Sequence, residues 1–221
     1  MTKREGANVS ASVLKRDQGM IRAFLRYSAI RKGKYVGLWR RFGKPSLEDW
    51  TEYLRRHGGF QKIGNDCAIN PAVVFTDPYL TSIGSNVWIA GGWLGGHDGS
   101  INTINRAYGT KFDSVGPILI EDNVFIGVGT HVLPGTRIGS NTIIGAGSVV
   151  SGTIEGNSVY AGVPARRIRS MDEHLARLEQ RNASYPWRGL IESRKGGFDA
   201  EIEPELRRQR VAFFFGERSS G

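Results

Sequence analysis

Branched aliphatic residues recur at every sixth position in the second half of this chain. One unbroken register contains Ile120, Ile126, Val132, Ile138, Ile144 and Val150. A strand repeats its facing every two residues and a helix every three to four, so a period of six requires a backbone that turns a corner after each short strand. The register therefore predicts a β-solenoid, in which each coil buries its apolar face only against its neighbours.

A second inward position is predicted at the fourth residue after each aliphatic one, where the side chain is small or β-branched. These residues are Val124, Thr130, Thr136, Thr142, Ser148 and Ile154. Glycines and other turn formers lie between the inward positions and supply the corners, as in Pro134-Gly135. Two inward residues in each unit predict a narrow, packed interior.

The same period is present earlier in the chain in a weaker form. The first inward positions are Ile63, Ile69 and Phe75, and the second ones are Cys67, Val73 and Tyr79. Ile83, Val87 and Ile89 restart the register after a slip of two residues. We therefore expect an all-β domain at 63–168, preceded by a basic α-helical extension at 1–62 and followed by a C-terminal helix and tail at 169–221.

The repeat is interrupted once, by an excursion at residues 95–115 that shows no period. Long excursions from a compact domain are usually functional loops or disordered segments. This one opens on a histidine, His97, which is followed by Asp98. The histidine favours a functional loop.

The net charge of +9 is unevenly distributed. Residues 1–62 contain 15 Lys or Arg and 5 acidic residues, residues 63–165 contain 3 and 7, and residues 166–221 contain 12 and 9. A basic excess of this kind can attract nucleic acid, an anionic membrane or phosphorylated ligands. A solvated helical surface is the simpler interpretation, and we expect no nucleic-acid partner.

Helices are predicted in both flanking segments. The first runs from Val13 to about Arg31, and the second from Leu47 to His57, behind a capping box at Ser46. A third is expected at 171 to about 182, and the last forty residues show no pattern. An arginine-rich helix can lie on a membrane surface, but packing on its own domain or on a partner subunit is the favoured interpretation.

The compartment is predicted from the cysteine content and the hydropathy. Cys67 is the single cysteine and falls at an inward position, so no disulfide can form within the chain. The first twenty residues are polar and basic, and no apolar run approaches the length of a membrane span. These features predict a soluble, cytoplasmic protein.

Two segments resemble the hexapeptide-repeat acyltransferases. The run Pro117 to Gly127 is similar to the start of the C-terminal coils in galactoside and maltose O-acetyltransferases, and Ile144 to Val150 followed by Ala161 to Arg169 resembles their closing signature. The resemblance implies a left-handed parallel β-helix that assembles as a homotrimer with active sites between subunits. It also implies acetyl-coenzyme A as the cosubstrate and no metal.

The resemblance identifies His97 as the catalytic histidine. Gly96-His97-Asp98 is also similar to the motif of polysaccharide and antibiotic O-acetyltransferases, in which a carboxylate follows the histidine. Acyl transfer to an alcohol requires the hydroxyl to lose its proton, and imidazole is suited to accept a proton near neutral pH. We predict that His97 is the general base in a direct transfer and that Asp98 is a candidate to orient its ring.

Matched positions imply the residues that contact coenzyme A. They are Val128, Ala146, Ser151, Gly152, Arg166 and Arg169. The two guanidinium groups suit the nucleotide phosphates, while Gly152 stands where the galactoside enzymes have a lysine. Asp77, Trp88 and Trp93 are predicted to bind the acceptor, because aromatic faces and a carboxylate suit a sugar.

The predicted function is acetyl-coenzyme A-dependent O-acetylation of a sugar or polysaccharide precursor. N-acylation of an amino sugar or an antibiotic stays open, as does a noncatalytic binding module. A γ-class carbonic anhydrase would share the solenoid, but only His97 and His131 match its three zinc ligands, and the third position is Thr136. Contact with a membrane surface also stays open.

Overall fold

The structure is a computed structural model that describes residues 5–216, with side chains described from Gly19 onward. The described part of the chain forms two compact units, which divide between Met171 and Asp172. The first unit begins with helices α1 Glu5–Lys32, α2 Val36–Leu38 and α3 Leu47–His57, with a π-helical turn at Trp39–Gly43 between α2 and α3. The predicted helices lie within α1 and α3.

The helical segments are followed by coils that build three parallel sheets. The first sheet contains, in spatial order, β1 Lys62–Ile63, β4 Thr81–Ile83, β7 Ile118–Ile120, β10 Arg137–Ile138 and β13 Thr153–Ile154. The second contains β2 Ala68–Ile69, β5 Val87–Ile89, β8 Val124–Ile126, β11 Thr142–Ile144 and β14 Ser158–Ala161. The third contains β3 Val74–Phe75, β6 Gly92–Leu94, β9 Thr130–Val132 and β12 Val149–Val150. Each full coil therefore adds one strand to each side of a three-sided solenoid.

The six-residue register is the core of this solenoid. The aliphatic residues from Ile120 to Val150 are buried, and so are the second inward residues from Val124 to Ile154. In-register parallel pairing stacks equivalent residues, as in Ile126 opposite Ile144, about 4.8 Å apart. The predicted interior is confirmed for these coils.

One predicted inward position is wrong. The side chain of Tyr79 is exposed, and Thr81 is buried instead. A 3₁₀ turn at Pro78–Leu80 occupies the corner before β4. This turn adds the two residues that the sequence shows as a slip in register.

A ladder of asparagines forms one corner of the solenoid. Asn86, Asn123, Asn141 and Asn157 all have positive φ angles, a conformation that asparagine tolerates better than other residues with a Cβ. Each side-chain amide donates to the next carboxamide oxygen at 2.9 Å. The amides thereby satisfy one another at the corner between the first and second sheets.

Helix α3 covers the N-terminal end of the solenoid. Ser46 caps it by accepting a hydrogen bond from the Asp49 amide, as the sequence predicts. Thr51 Oγ1 accepts from the Ile69 amide at 2.8 Å, and Arg55 donates to the Ile63 and Gly64 carbonyls. An open sheet edge would leave such groups unpaired, so the helix closes the first coil.

The other end of the first unit is closed by β15 Arg166–Ser170, which pairs antiparallel with β14. The second unit contains most of α5 Met171–Ala183, then α6 Arg188–Glu192 and α7 Glu203–Phe215. Helix α5 agrees with the predicted third helix, whereas α6 and α7 occupy a segment with no assignable sequence pattern. Stacked rings of Tyr185 and Trp187 form the aromatic centre of this unit.

Candidate active site

The excursion leaves the solenoid after β6, and its two ends pair with each other. We call this paired region, residues 96–97 and 115–116, the neck of the excursion. His97 forms an antiparallel bridge with Val115, and the Gly116 amide donates to the Gly96 carbonyl at 2.8 Å. Within the excursion, helix α4 Ile101–Tyr108 is followed by a turn that Asn105 holds through hydrogen bonds to Phe112. The excursion is therefore an ordered element that fixes the backbone of His97.

A carboxylate from the preceding coil holds the His97 ring. Asp77 Oδ2 lies 2.6 Å from His97 Nδ1 and also accepts a hydrogen bond from Thr76 Oγ1 at 2.9 Å. Because an ionised carboxylate can only accept, Nδ1 carries the proton in this pair and the lone pair is on Nε2. The arrangement leaves Nε2 as the nitrogen that can take up a proton.

The pKa of Asp77 is lowered. Desolvation acts to raise it, but the hydrogen bonds from His97 and Thr76 favour the ionised form and outweigh desolvation. Asp77 is therefore a carboxylate at neutral pH, as its role beside the ring requires.

Gly96 makes this contact possible. A Cβ atom at this position would lie 2.7 Å from the Cβ of Asp77 and 3.1 Å from Leu80 Cδ1, well inside the normal contact distance. The absence of a side chain at Gly96 lets the Asp77 carboxylate approach the neighbouring coil.

The predicted partnership of Asp98 with His97 is corrected by this geometry. Asp98 Oδ1 accepts a hydrogen bond from the Ser100 amide at 2.9 Å, which lowers the pKa of Asp98. Adjacent side chains diverge on an extended backbone, so the carboxylate of Asp98 is directed into the turn before α4. Asp77, predicted as an acceptor ligand, occupies the orienting position instead.

The strand register accounts for this pair. Strand pairing places Phe75 opposite Leu94, and two residues further along each chain segment stand Asp77 and Gly96. The slip in register between these coils hid the correspondence.

Trp93 lies on β6, four residues before His97 in the chain. Its ring occupies the space over Gly95, where a Cβ atom would be only 1.9 Å from Trp93 Cη2. On the next coil His131 lies opposite Trp93, with ring centroids 6.2 Å apart. The third sheet therefore presents two neighbouring rings on its outer face, at the edge from which the excursion departs.

The structure does not bring Trp88 to this site. Trp88 lies on β5 in the second sheet, and its ring packs edge-on against Phe125 at 6.3 Å. Side chains on the outer faces of the second and third sheets point in different directions, so the predicted grouping of Trp88 with Trp93 is corrected.

The residues predicted to contact coenzyme A occupy two corners of the solenoid. Val128 and Ala146 follow the second sheet on successive coils, and the Gly147 amide donates to the Val128 carbonyl at 2.9 Å. Ser151 and Gly152 follow the third sheet, at the corner from which the His97 excursion leaves on an earlier coil. All four are exposed, and the two pairs lie on opposite edges of the third sheet.

The two predicted phosphate ligands lie on β15. Arg166 is exposed and pairs with Ala161 across the antiparallel ladder, while Arg169 pairs with Val159 and is partly buried. The closing segment of the sequence signature forms the strand β15. Both arginines are thereby attached to the final coil.

A zinc site receives no structural support in the described part of the chain. Among the described side chains of residues 19–216, no three from histidine, cysteine, aspartate or glutamate cluster as metal ligands would. Thr136, at the third ligand position of the carbonic anhydrase alternative, is buried and donates to the Leu133 carbonyl at 2.6 Å. His57, at the end of α3, interacts with the Ile30 carbonyl at 2.9 Å.

Comparison with known proteins identifies the family. The model of the bacterial transferase hexapeptide family, with six repeats, matches residues 117–152. Protein CapG of Staphylococcus aureus is 35% identical over 128 residues, which cover 56% of this chain and 73% of CapG. The chain belongs to the bacterial transferase hexapeptide family. The predicted resemblance and the left-handed parallel β-helix are thereby confirmed.

Two further relatives are similar to about half of this chain. Galactoside O-acetyltransferase of Escherichia coli is 37% identical over 120 residues, which cover 53% of this chain and 57% of that enzyme. A Saccharomyces cerevisiae protein is 40% identical over 114 residues, or 50% of this chain and 56% of that protein. The chain thus spans little more than half the length of these two relatives.

Proposed function

We propose that the protein is an acetyl-coenzyme A-dependent O-acetyltransferase that modifies a hydroxyl group of a sugar or polysaccharide precursor. The observation that carries the proposal is the hydrogen bond between Asp77 and His97 Nδ1, at the neck of the excursion. Membership of the hexapeptide family and the likeness to galactoside O-acetyltransferase support it.

In this reaction His97 Nε2 accepts the proton of the acceptor hydroxyl as the oxygen attacks the thioester carbonyl. Asp77 keeps the ring in the required tautomer and stabilises the positive charge that the ring acquires. The carbon–oxygen bond forms, the carbon–sulfur bond breaks, and the proton passes from His97 to the departing thiolate. Coenzyme A and the acetylated sugar are the products.

Direct transfer is favoured over a covalent acetyl-enzyme. Cys67, the single cysteine, is buried and donates to the Gly84 carbonyl, and burial raises the pKa of its thiol. A protonated thiol inside the solenoid is a poor nucleophile.

The proposed donor site follows the solenoid corners and β15. Val128, Ala146, Ser151 and Gly152 offer exposed, mostly small surfaces that a pantetheine arm can approach closely. Arg166 and Arg169 bind the nucleotide phosphates in this proposal, and the proposed donor site contains no metal.

We further propose a homotrimer with the active sites between subunits. In this arrangement His97 of one subunit contacts the donor that is bound by the next subunit. This explains why the predicted donor residues lie at two separate corners of each subunit. The excursion supports the proposal with four exposed apolar residues that a neighbour could cover: Ile104, Tyr108, Phe112 and Val115.

The donor is tested by calorimetry of the purified protein with acetyl-coenzyme A. Binding is expected, and Arg166→Gln should weaken it about tenfold or more through loss of a charged hydrogen bond, whereas Arg106→Gln on α4 should leave it unchanged. Acetyl-pantetheine, which lacks the nucleotide phosphates, should bind both variants equally. Absence of acetyl-coenzyme A binding at millimolar concentration would contradict the proposal.

The acceptor is tested by coenzyme A release over a panel of sugars, amino sugars and antibiotics. Trp93→Ala should raise the KM for the preferred sugar about two- to tenfold, as expected for loss of an aromatic contact, and leave the KM for acetyl-coenzyme A unchanged. Trp88→Ala is the matched control and should change neither value. Faster turnover of amines than of alcohols would replace O-acetylation by N-acetylation.

A further inference from the structure

Helix α1 presents an apolar stripe on the side that faces away from the protein core. Leu25 and Ala29 are buried on the inner side, whereas Met20, Phe24 and Tyr27 have exposed fractions of 62%, 58% and 56%. These three residues are spaced i, i+4 and i+7, and therefore lie on one side of the helix. Large apolar side chains exposed in a row require an explanation.

The turn after α1 extends the stripe. Tyr35 is 55% exposed, and its ring centroid lies 6.1 Å from that of Phe24. The Lys32 ammonium lies 5.7 Å from the centre of the Tyr27 ring. We refer to Met20, Phe24, Tyr27 and Tyr35 as the exposed stripe.

The segment that carries the exposed stripe bears charge of one sign. Residues 19–44 contain eight Lys or Arg and no Asp or Glu. Arg22, Arg31 and Lys34 are exposed, and no carboxylate occurs in the chain between Asp17 and Glu48. Positive charge therefore surrounds an apolar row, and within residues 19–44 no acidic residue offsets it, although Arg26 pairs with Asp49 of α3.

Contacts on the inner side of α1 fix this orientation. Arg26 donates two hydrogen bonds of 2.6 Å to the carboxylate of Asp49 on α3, and the buried residues of α1 pack against α3. Further along the segment, Arg40 donates to the Pro71 carbonyl and lies over the Trp50 ring. Helix α1 is held against α3 through one side, so the exposed stripe stays directed outward.

We infer that the exposed stripe docks the protein peripherally onto an anionic lipid surface. Apolar and aromatic side chains enter the boundary between headgroups and acyl chains, while the surrounding arginines and lysines meet lipid phosphates. Among the described residues no helix is long and apolar enough to cross a membrane. The proposed attachment is interfacial, through one side of a surface helix.

The charge around the exposed stripe favours an anionic lipid surface over a second copy of the chain as its partner. Two copies that met through the exposed stripe would bring their arginines and lysines together, with no carboxylate in the segment to pair with them. Such a contact is repulsive at physiological ionic strength. An anionic lipid surface supplies the missing negative charge.

Vesicle co-sedimentation of the full-length protein tests the inference. The protein should bind vesicles of phosphatidylcholine mixed with phosphatidylglycerol, and much less to phosphatidylcholine alone. The triple variant R22Q, R31Q and K34Q should reduce the partition coefficient on the order of 100-fold, and added salt should abolish most of the binding. The double variant M20S and F24S should also reduce binding and make the remainder more sensitive to salt.

The matched control removes three positive charges from the second unit, as R177Q, R181Q and R207Q. If this control loses as much vesicle binding as the first triple variant, the local surface is not responsible and the inference is overturned. It is equally overturned if the stripe variants bind vesicles normally but change the oligomeric state in sedimentation velocity, or lose binding only to single-stranded RNA. Turnover of a soluble acceptor should be unchanged in all variants, which separates this test from that of acetyl transfer.

Discussion

The regular coils and the His97 excursion adjoin in the chain, but their residue positions are specified by different kinds of contact. In the coils, every inward residue from Ile120 to Val150 contacts equivalents on neighbouring coils, so each position is specified by its place in the period. At the excursion, His97 depends on Asp77 and Gly96, which belong to different turns of the solenoid. Repetition specifies packing, whereas the candidate chemistry requires a departure from repetition.

This difference predicts that substitutions in the two regions separate activity from stability. Side chains in the coils should govern the free energy of unfolding. Those at the neck of the excursion should govern the rate of acetyl transfer, because His97 and Asp77 are polar and lie outside the apolar core.

The largest expected effect on rate is that of His97→Ala. Loss of the general base should lower kcat about 100- to 10,000-fold, with little change in the free energy of unfolding. Steady-state coenzyme A release and urea denaturation provide the two readouts. Turnover close to that of the unmodified protein would remove His97 as the base.

The largest expected effect on stability comes from the coils. Ile144 is fully buried, and Ile144→Ala should reduce the free energy of unfolding by about 2 to 5 kcal/mol through lost contacts and a residual cavity. Leu119→Ala, on the outer face of β7, is the control and should cost less than about 1 kcal/mol. Equal losses in urea denaturation would contradict the assignment of inward and outward faces.

Asp77→Asn tests the contribution of the carboxylate that contacts the His97 ring. Removal of a charge-assisted hydrogen bond from the ring should lower kcat about 10- to 100-fold. Asp98→Asn is the control and should change kcat less than about twofold, since Asp98 contacts the Ser100 amide. A larger effect at Asp98 than at Asp77 would restore the prediction made from the sequence.

The smallest expected effect is a dependence of stability on pH. The pKa of Asp77 is lower in the folded protein than its ordinary value, so its contribution is fully present above the ordinary aspartate pKa. It is lost as the pH falls through the lowered value, because the unfolded chain binds the proton first. The difference in unfolding free energy between unmodified protein and Asp77→Asn should be below about 1 kcal/mol.

Urea denaturation as a function of pH measures this difference. It should be constant near neutrality and should shrink only in acid. A difference that grew as the pH fell would show that the Asp77 carboxylate is not stabilised in the folded state.

Much of the solenoid could be predicted because its determinants are local and periodic. The period of six, the turn residues and the capping Ser46 each act through near neighbours in the chain, and the structure agrees with them. Tyr79 shows the limit of this reasoning, since a two-residue slip at Pro78–Leu80 moved the inward position to Thr81. Helices α6 and α7 lack a repeating apolar pattern and could not be predicted.

The sequence by itself determined a solenoid, the place where its repeat breaks, and the histidine at that break. Only the tertiary structure decided which carboxylate holds the ring, which tryptophan lies on the sheet from which the excursion departs, and which side of α1 remains exposed. The physical reason is that periodic burial can be inferred from spacing along one chain segment. A contact between coils depends on how many residues the intervening corner contains, and one short turn is enough to exchange Asp98 for Asp77.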